Sequence, residues 1–346
     1  MTDKIRFMRE NKISTGKNIG GKEIFAVELV NTRGTKVKIY NYGGIISEFI
    51  ITNSKGEKQD VILGFDDIDG YLNDGYLSNY PYLGVIVGRY SNRIKDGKYS
   101  VDGTAYEMTQ NLHGGTEGFD KKVWDILPTT GPTLTLQYIS KDGEEGFPGN
   151  LTVQVTYKLS DEDELVLDYH AVTDAATPIN LTHHTYFNLL ADGGNVRSHH
   201  HRMPASNYLQ QDAEYVVTGT VLPVVGTIHD FLGGKPIGAD WDEAEGYDQS
   251  YVLDKPYGEL GLASETVEPG SGLKLEVYTT EPVAHFYTAK HLSTANGKAN
   301  RDYHPFDAFC VETQHAPNSV NVPAFPSTIL KPGETYKQTT IFKVTA

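Results

Sequence analysis

Polar and apolar residues alternate with a period of two along most of this chain. In "LTVQVTYKL", Leu151, Val153, Val155, Tyr157 and Leu159 share one face, and Thr152, Gln154, Thr156 and Lys158 the other. "SDED" follows as a turn, and "ELVLDYHAV" alternates again through Leu165, Leu167, Tyr169 and Ala171, which predicts a β-hairpin. Shorter runs of the same kind recur: "KVKIYNYGG", "DVILGF", "YLGVIVGRY", "KYSVDGTAYEMT", "TLTLQYIS", "LKLEVYTT", "AFCVETQ" and "TTIFKVT". Gly, Asn, Asp and Pro punctuate them. No long amphipathic helix, repeat or linker interrupts the pattern. The expectation is a single all-β domain over residues 1–346, a large antiparallel β-sandwich, with residues 1–22 as a loosely attached arm.

The stretch "PINLTHHTYFNLL", residues 178–190, places two histidines side by side in such a strand. Neighbouring strand side chains point to opposite faces. Ile179, Leu181, His183, Thr185, Phe187 and Leu189 make one face; Asn180, Thr182, His184, Tyr186 and Asn188 make the other. His183 therefore reads as a hydrogen-bonded core or edge histidine. His184 lies on a polar face, which is either solvent surface or the lining of a polar cleft.

The chain is long enough for a large core, since about 75% of the unfolded surface of a chain of this size is buried. Its 45 acidic and 30 basic residues give a net charge of -15. That balance argues against nucleic acid and anionic membranes as partners, both of which reward clustered Lys and Arg. Cys310 is the only cysteine, so no intrachain disulfide forms. The opening "MTDKIRFMRENK" has no apolar signal core, and no run approaches the length of a membrane span. A cytoplasmic protein, monomeric or weakly homodimeric, is expected.

There is no Gly-rich dinucleotide turn, phosphate loop or H-E-x-x-H pattern, so neither cofactor nor metal is expected. The "SHHHR" run, His199 to His201, reads as a solvated loop, because adjacent histidines rarely converge on one ion. Four polar stretches remain. "GRYSNRIKDGKY" carries Asn92 and Arg93, either a surface charge or a guanidinium fork for ligand oxygens. "NLHGGTEGFDKKVW" carries His113 before a Gly pair, which permits a turn and a close approach by a ligand. His184 is the third. In "FCVETQHAPNSVN", Glu312 shares a strand face with Cys310 and Gln314, and a carboxylate there is costly to bury unless paired. "GYDQSYVL" adds Asp248, and "TTEPVAHFYT" puts His285 and Tyr287 on one face. Together these groups fit a neutral polyhydroxylated ligand, a sugar, whose hydroxyls want paired donors and acceptors and whose apolar faces want Tyr or Phe.

In this order, "VGRYSNRI", "LHGGTEGFDKKVW", "DGEEGFPGNL", "TPINLTHHTYFNL", "GYDQSYVL", "VYTTEP" with "FYT", and "FCVETQHAPNSVN" resemble the aldose 1-epimerase family, also called galactose mutarotases. The resemblance runs from about residue 25 to the end. It implies a β-sandwich with an open sugar-binding cleft and interconversion of the α and β anomers of free aldohexoses. It also implies Glu312 as general base, His184 as general acid and His113 as a second cleft histidine near the ring oxygen. Asn92, Arg93, Tyr186, Asp248 and His285 fall in its substrate-binding positions. Neither metal nor nicotinamide is implied. Three departures stand out: His183 where the family usually has Asn, Gln249 where it has His, and His285 where many relatives carry Gln. The second puts support of Asp248 in doubt, and the third bears on substrate preference. A non-catalytic sugar-binding module would not need both Glu312 and His184. A glycosidase usually needs two carboxylates at a set separation, and a hexose-phosphate epimerase a basic cluster. Glu312 is expected ionised and His184 protonated, a state that a nearby carboxylate favours.

Overall fold

The structure is a computed structural model that describes residues 11–241 and 244–346. The predicted hairpin forms as Leu151–Leu159 and Glu164–Thr173, antiparallel, with Leu151 opposite Thr173 and Leu159 opposite Leu165. Leu151, Val153, Val155, Tyr157, Leu159, Leu165, Leu167, Tyr169 and Ala171 are all buried. This hairpin lies in a nine-stranded antiparallel sheet that also holds Thr133–Ser140, Gly261–Val267, Lys274–Thr279 and Tyr336–Thr345.

The facing layer is assembled from pieces. Val217–Pro223, Asn207–Gln211, Asp248–Val252, Val283–Tyr287 and Cys310–Gln314 form one five-stranded sheet. Lys12–Ile19, Lys22–Val30, Lys36–Tyr40, Ile46–Thr52 and Lys58–Asp60 form another. Phe187 joins them, bridging Ile62 on one side and Phe309 on the other. Val153, Val155 and Leu167 of the large sheet share one buried apolar cluster with Phe187, Phe286, Phe309 and Val311 of the facing layer. Two layers packed over a common core make a β-sandwich. No helix of the described residues is long and apolar enough to cross a membrane.

The amino-terminal segment differs from the loose arm expected over residues 1–22. Residues 1–10 lie outside the described residues. Lys12–Ile19 pairs with Lys22–Val30 as an edge strand of the sheet. Gly20 and Gly21 both take positive φ, 58° and 78°, which is what a tight hairpin turn needs. No residue of this strand is fully buried and its register is irregular between Ser14 and Asn18, so its sequence shows no clear alternation.

The "HHH" run also departs from the solvated loop expected of it. His200–Arg202 is a strand, His200 is exposed, and His199 and His201 are each 0% exposed. His201 stacks on Phe286 with ring centroids 4.1 Å apart and shares a 2.8 Å hydrogen bond with Thr266 Oγ1. The Leu189 amide donates to Nε2 of His199 at 3.1 Å. Strands on both sides, Lys235–Pro236 and Gly261–Val267, carry this segment into the sandwich. Burial pushes His199 down to about 4 and His201 down to about 3. Both rings are thus neutral when folded and take up protons near 6.5 once unfolded. The unfolded chain binds more protons below that value, so stability present above it is lost as the pH falls. Each imidazole contributes a slope of about 1.4 kcal/mol per pH unit. Denaturant titrations of His201→Gln between about pH 6 and 4 should show the acid loss of stability flattened by about that slope. An unchanged slope would mean that His201 is protonated in the folded chain.

Candidate active site

The cleft is built on the sheet face that points away from the core. Register places Ser250 opposite His285 and His285 opposite Glu312, so three strands contribute one row of side chains. Asp248, Tyr287 and Cys310 form the next row. The alternate residues Tyr251, Phe286 and Val311 enter the apolar cluster. Nε2 of His285 lies 2.9 Å from Asp248 Oδ1, and its Nδ1 lies 2.9 Å from Ser250 Oγ. Asp248 is therefore held by His285. Gln249 points elsewhere and donates to the Leu209 carbonyl. Both ring nitrogens of His285 are engaged by protein groups.

The segment carrying the paired histidines runs along the edge of these rows. Phe187 and Phe309 exchange backbone hydrogen bonds, and the His184 amide donates to Val85 at 2.9 Å. The strand is interrupted, with ladder pairing at Thr177–Pro178 and Thr182–His183 and isolated bridges at Asn180 and Phe187, yet the alternation holds. His183 turns inward: Nε2 donates to the Gly44 carbonyl at 3.2 Å and Nδ1 accepts from Thr185 Oγ1 at 2.7 Å. Burial lowers it to about 3, so it is a neutral structural ring. His184 turns to the cleft. Its ring stacks on Tyr186 at 4.9 Å and faces Tyr82 at 6.2 Å. Its Nε2 is 3.6 Å from Glu312 Oε1, and both side chains are buried.

A loop closes the cleft from the other side. The His113 amide donates to the Asn92 carbonyl at 3.0 Å, and the Asn92 amide donates to His113 Nδ1 at 3.3 Å. Tyr82, Asn92 and His113 all take positive φ, 58°, 57° and 50°. For Tyr and His that conformation is uncommon and stores strain of the kind found at ligand sites. The close approach predicted at Gly114 is to backbone rather than ligand: a Cβ there would collide with the Gly88 carbonyl. The neighbouring Arg89 is buried and anchors this loop, donating to the carbonyls of Ser140, Lys141, Pro148 and Gly149 and to the hydroxyls of Ser140 and Thr177.

Asn92, Arg93, His113, His184, Tyr186, Asp248, His285 and Glu312, scattered over more than two hundred residues, line a single open cleft. Tyr80, Tyr82 and His291 also line it and escaped the sequence reading. Tyr82 packs on His113 with centroids 4.6 Å apart. The aromatics flanking Pro81 in "YPYLG" are the only sequence signal for these two tyrosines.

Electrostatics divides the histidines. Burial lowers His113 well below its usual value, reinforced by the charges of His184 and Arg93. Burial also lowers His184 and outweighs the opposing pull of Glu312, contrary to the expectation that the carboxylate would keep this ring charged. His285 goes the other way. Burial opposes its charge, but the hydrogen bond to Asp248, with the charges of Glu312 and Asp248, raises it. Asp248 is correspondingly lowered against burial, by His285 first and then Arg93 and Lys290. One oxygen of Glu312, Oε2, is buried with no protein partner.

His113, His184 and Glu312 bring potential metal-ligand atoms within 4.8 Å of one another. The Asn92 amide on Nδ1 argues against that use. It requires a lone pair there, so in the neutral ring the proton sits on Nε2. His113 then offers a donor rather than a ligand atom. The set suits a polyhydroxylated molecule: donors at His113, His184 and Arg93, acceptors at Glu312 and Asp248, and tyrosine faces.

The aldose 1-epimerase family model matches residues 26–343. Galactose mutarotase from Bos taurus is 39% identical over 317 residues, covering 89% of this chain and 90% of that protein. Aldose 1-epimerase from Escherichia coli K12 is 30% identical over 339 residues, covering 94% and 96%. Among solved structures, an aldose epimerase homologue from C. elegans superposes with a TM-score of 0.85 at 28% identity, covering 92% of this chain and 98% of that one. Galactose 1-epimerase from Lactobacillus acidophilus gives 0.83 at 25% identity, covering 97% and 98%. The sequence motifs, the sandwich and its cleft accord with these matches, and the chain belongs to the aldose 1-epimerase family.

Proposed function

We propose that this protein is an isomerase that interconverts the α and β anomers of free aldohexoses such as glucose and galactose, with Glu312 as base and His184 as acid. The observation that carries the reading is the pair itself. Nε2 of His184 and Oε1 of Glu312 are 3.6 Å apart, both buried at the base of an open cleft. The anomeric O1 and the ring O5 are both bonded to C1, so one short span must serve two proton transfers in opposite directions. Glu312 takes the proton of O1 while His184 delivers one to O5. The electron pair of the C1–O5 bond stays on O5, and C1 becomes the carbonyl of the open aldehyde. Rotation about C1–C2 presents the other carbonyl face. Closure returns the proton of O5 to His184 and that of Glu312 to O1.

The other cleft groups bind. His113 donates near the ring oxygen, Asn92, Arg93 and Asp248 take hydroxyls, and Tyr82 and Tyr186 pack the apolar faces of the ring. His285 orients Asp248. The lowered affinity of His184 makes its imidazolium a stronger acid but a less populated one in the free cleft, and Glu312 is the chief group that opposes that loss. A buried free cysteine suits a cytoplasmic setting.

Polarimetry of freshly dissolved α-D-glucose and α-D-galactose should show catalysed decay of rotation with chelator-treated protein and no added cofactor. A decay at the buffer rate for both sugars would leave a binding module. Glu312→Gln and His184→Asn should each lower kcat by about 10²–10⁴-fold, the range of one positioned proton transfer, with little change in melting temperature. His183→Asn should leave the rate near that of the unsubstituted protein, since its ring serves Gly44 and Thr185 on the core side. Comparable losses at both histidines in folded proteins would contradict the division of faces.

Because Glu312 is the chief group that raises the proton affinity of His184, an NMR titration gives a test of sign. In Glu312→Gln, His184 should protonate at a lower pH than in the unsubstituted protein. An equal or higher value would mean that the two groups are not coupled in the free cleft.

A further inference from the structure

Cys310 lies on the cleft face of its strand, two residues before Glu312, and is fully buried. Its Sγ is 3.4 Å from Nδ1 of His184, the ring nitrogen that does not face Glu312. Burial, reinforced by the charges of Glu312 and Asp248, pushes the thiol well above its ordinary value. The sulfur is therefore an S–H group and not a nucleophile. The proton exchange proposed above gives it no task, yet it is the side chain bonded to the imidazole of the acid.

We propose that Cys310 is a positioning residue, the hydrogen-bond partner that keeps Nε2 of His184 aimed at the substrate in both protonation states of the ring. This rests on the reading of His184 as the acid. An imidazolium presents Nδ1–H, and a neutral ring presents either a proton or a lone pair there. A thiol is a weak donor and a weak acceptor, and it meets either demand by rotating its S–H. A carboxylate in its place would hold the imidazolium, and a backbone amide would hold the neutral ring, as the Asn92 amide does for His113. Sulfur does neither, so the ring is oriented without being fixed in one charge state. The thiol keeps its own proton throughout, and the transferred proton passes only between Nε2 and O5. Stacking on Tyr186 restrains the plane of the ring, and the sulfur then determines which edge faces the cleft.

The charged and titratable groups facing His184 are Glu312, His285, Asp248, His113 and His183, with the phenols of Tyr82, Tyr186 and Tyr287 packed against its ring. None of them is altered in Cys310→Ser or Cys310→Ala, so a change in the pH profile reports the sulfur. A serine hydroxyl is the stronger acceptor and should favour the imidazolium. The upper limb of the kcat profile, on which the His184–Glu312 pair loses its proton, should move to higher pH. Alanine removes the acceptor, and the limb should move to lower pH with kcat reduced and KM little changed. At a fixed pH on that limb the two variants should depart from the unsubstituted enzyme in opposite directions by about threefold each, the size of one modest hydrogen bond. A buried packing residue would give lower melting temperatures and an unmoved limb. If both folded variants keep the limb in place, the role of Cys310 is overturned while the epimerase reading stands. If Cys310→Ala fails to fold, the direction of the serine shift decides. If the unsubstituted protein does not accelerate anomer exchange, the epimerase reading fails and takes this one with it.

Discussion

The register of strand Cys310–Gln314 against Val283–Tyr287 is the constraint on which the site depends. A slip of one residue would turn Glu312 into the core and Val311 into the cleft. The apolar face prevents it, because Phe309, Val311 and Phe286 are committed to the cluster shared with the large sheet. Hydrophobic burial thus fixes a polar geometry. It sets Ser250, His285 and Glu312 in one row and brings His184 alongside through the Phe187–Phe309 backbone pairing.

Within that frame, the same low-polarity surroundings treat similar rings differently. Burial lowers the affinity of His113, His183 and His184 for protons. His285 is as deeply placed but hydrogen-bonds a carboxylate at 2.9 Å, and the pair is favoured in its charged form. The cleft consequently holds the Asp248–His285 ion pair beside Glu312 and His184, the proposed base and acid, whose Oε1 and Nε2 stand 3.6 Å apart. That looser relation is what proton exchange needs. A close salt bridge would hold the proton, and removal of Glu312 would leave His184 a weaker base still.

Period two made much of this legible in the sequence. The hairpin of residues 151–173, the opposite fates of His183 and His184, and the shared face of Cys310 and Glu312 all follow from alternation alone. The grouping of Asn92, His113 and Asp248 with them did not. Their residue types alone suggest a shared polar cleft, and their individual places in it come from the resemblance, since long-range pairing leaves no local trace. Tyr80 lies in a loop with no period, and Tyr82 opens the run "YLGVIVGRY" expected as a strand, where only Ile86–Val87 pairs and Tyr82 is aimed by a positive φ that Tyr rarely adopts. The burial of His199 and His201 was hidden because three consecutive polar residues look solvated until neighbouring strands cover one face. The edge strand Lys12–Ile19 was hidden for the complementary reason, a polar face that truly meets water.

The central claim is that a buried carboxylate and an imidazole 3.6 Å away exchange protons with the two oxygens on C1 of a sugar. Two-dimensional exchange NMR on D-glucose at anomeric equilibrium tests it most directly, because it sees interconversion without any net reaction. With catalytic protein present, cross-peaks should join the α and β anomeric protons. They should vanish when Glu312→Gln and His184→Asn are combined. Line broadening that reports sugar binding, with no cross-peak above the buffer control for either glucose or galactose, would contradict the account.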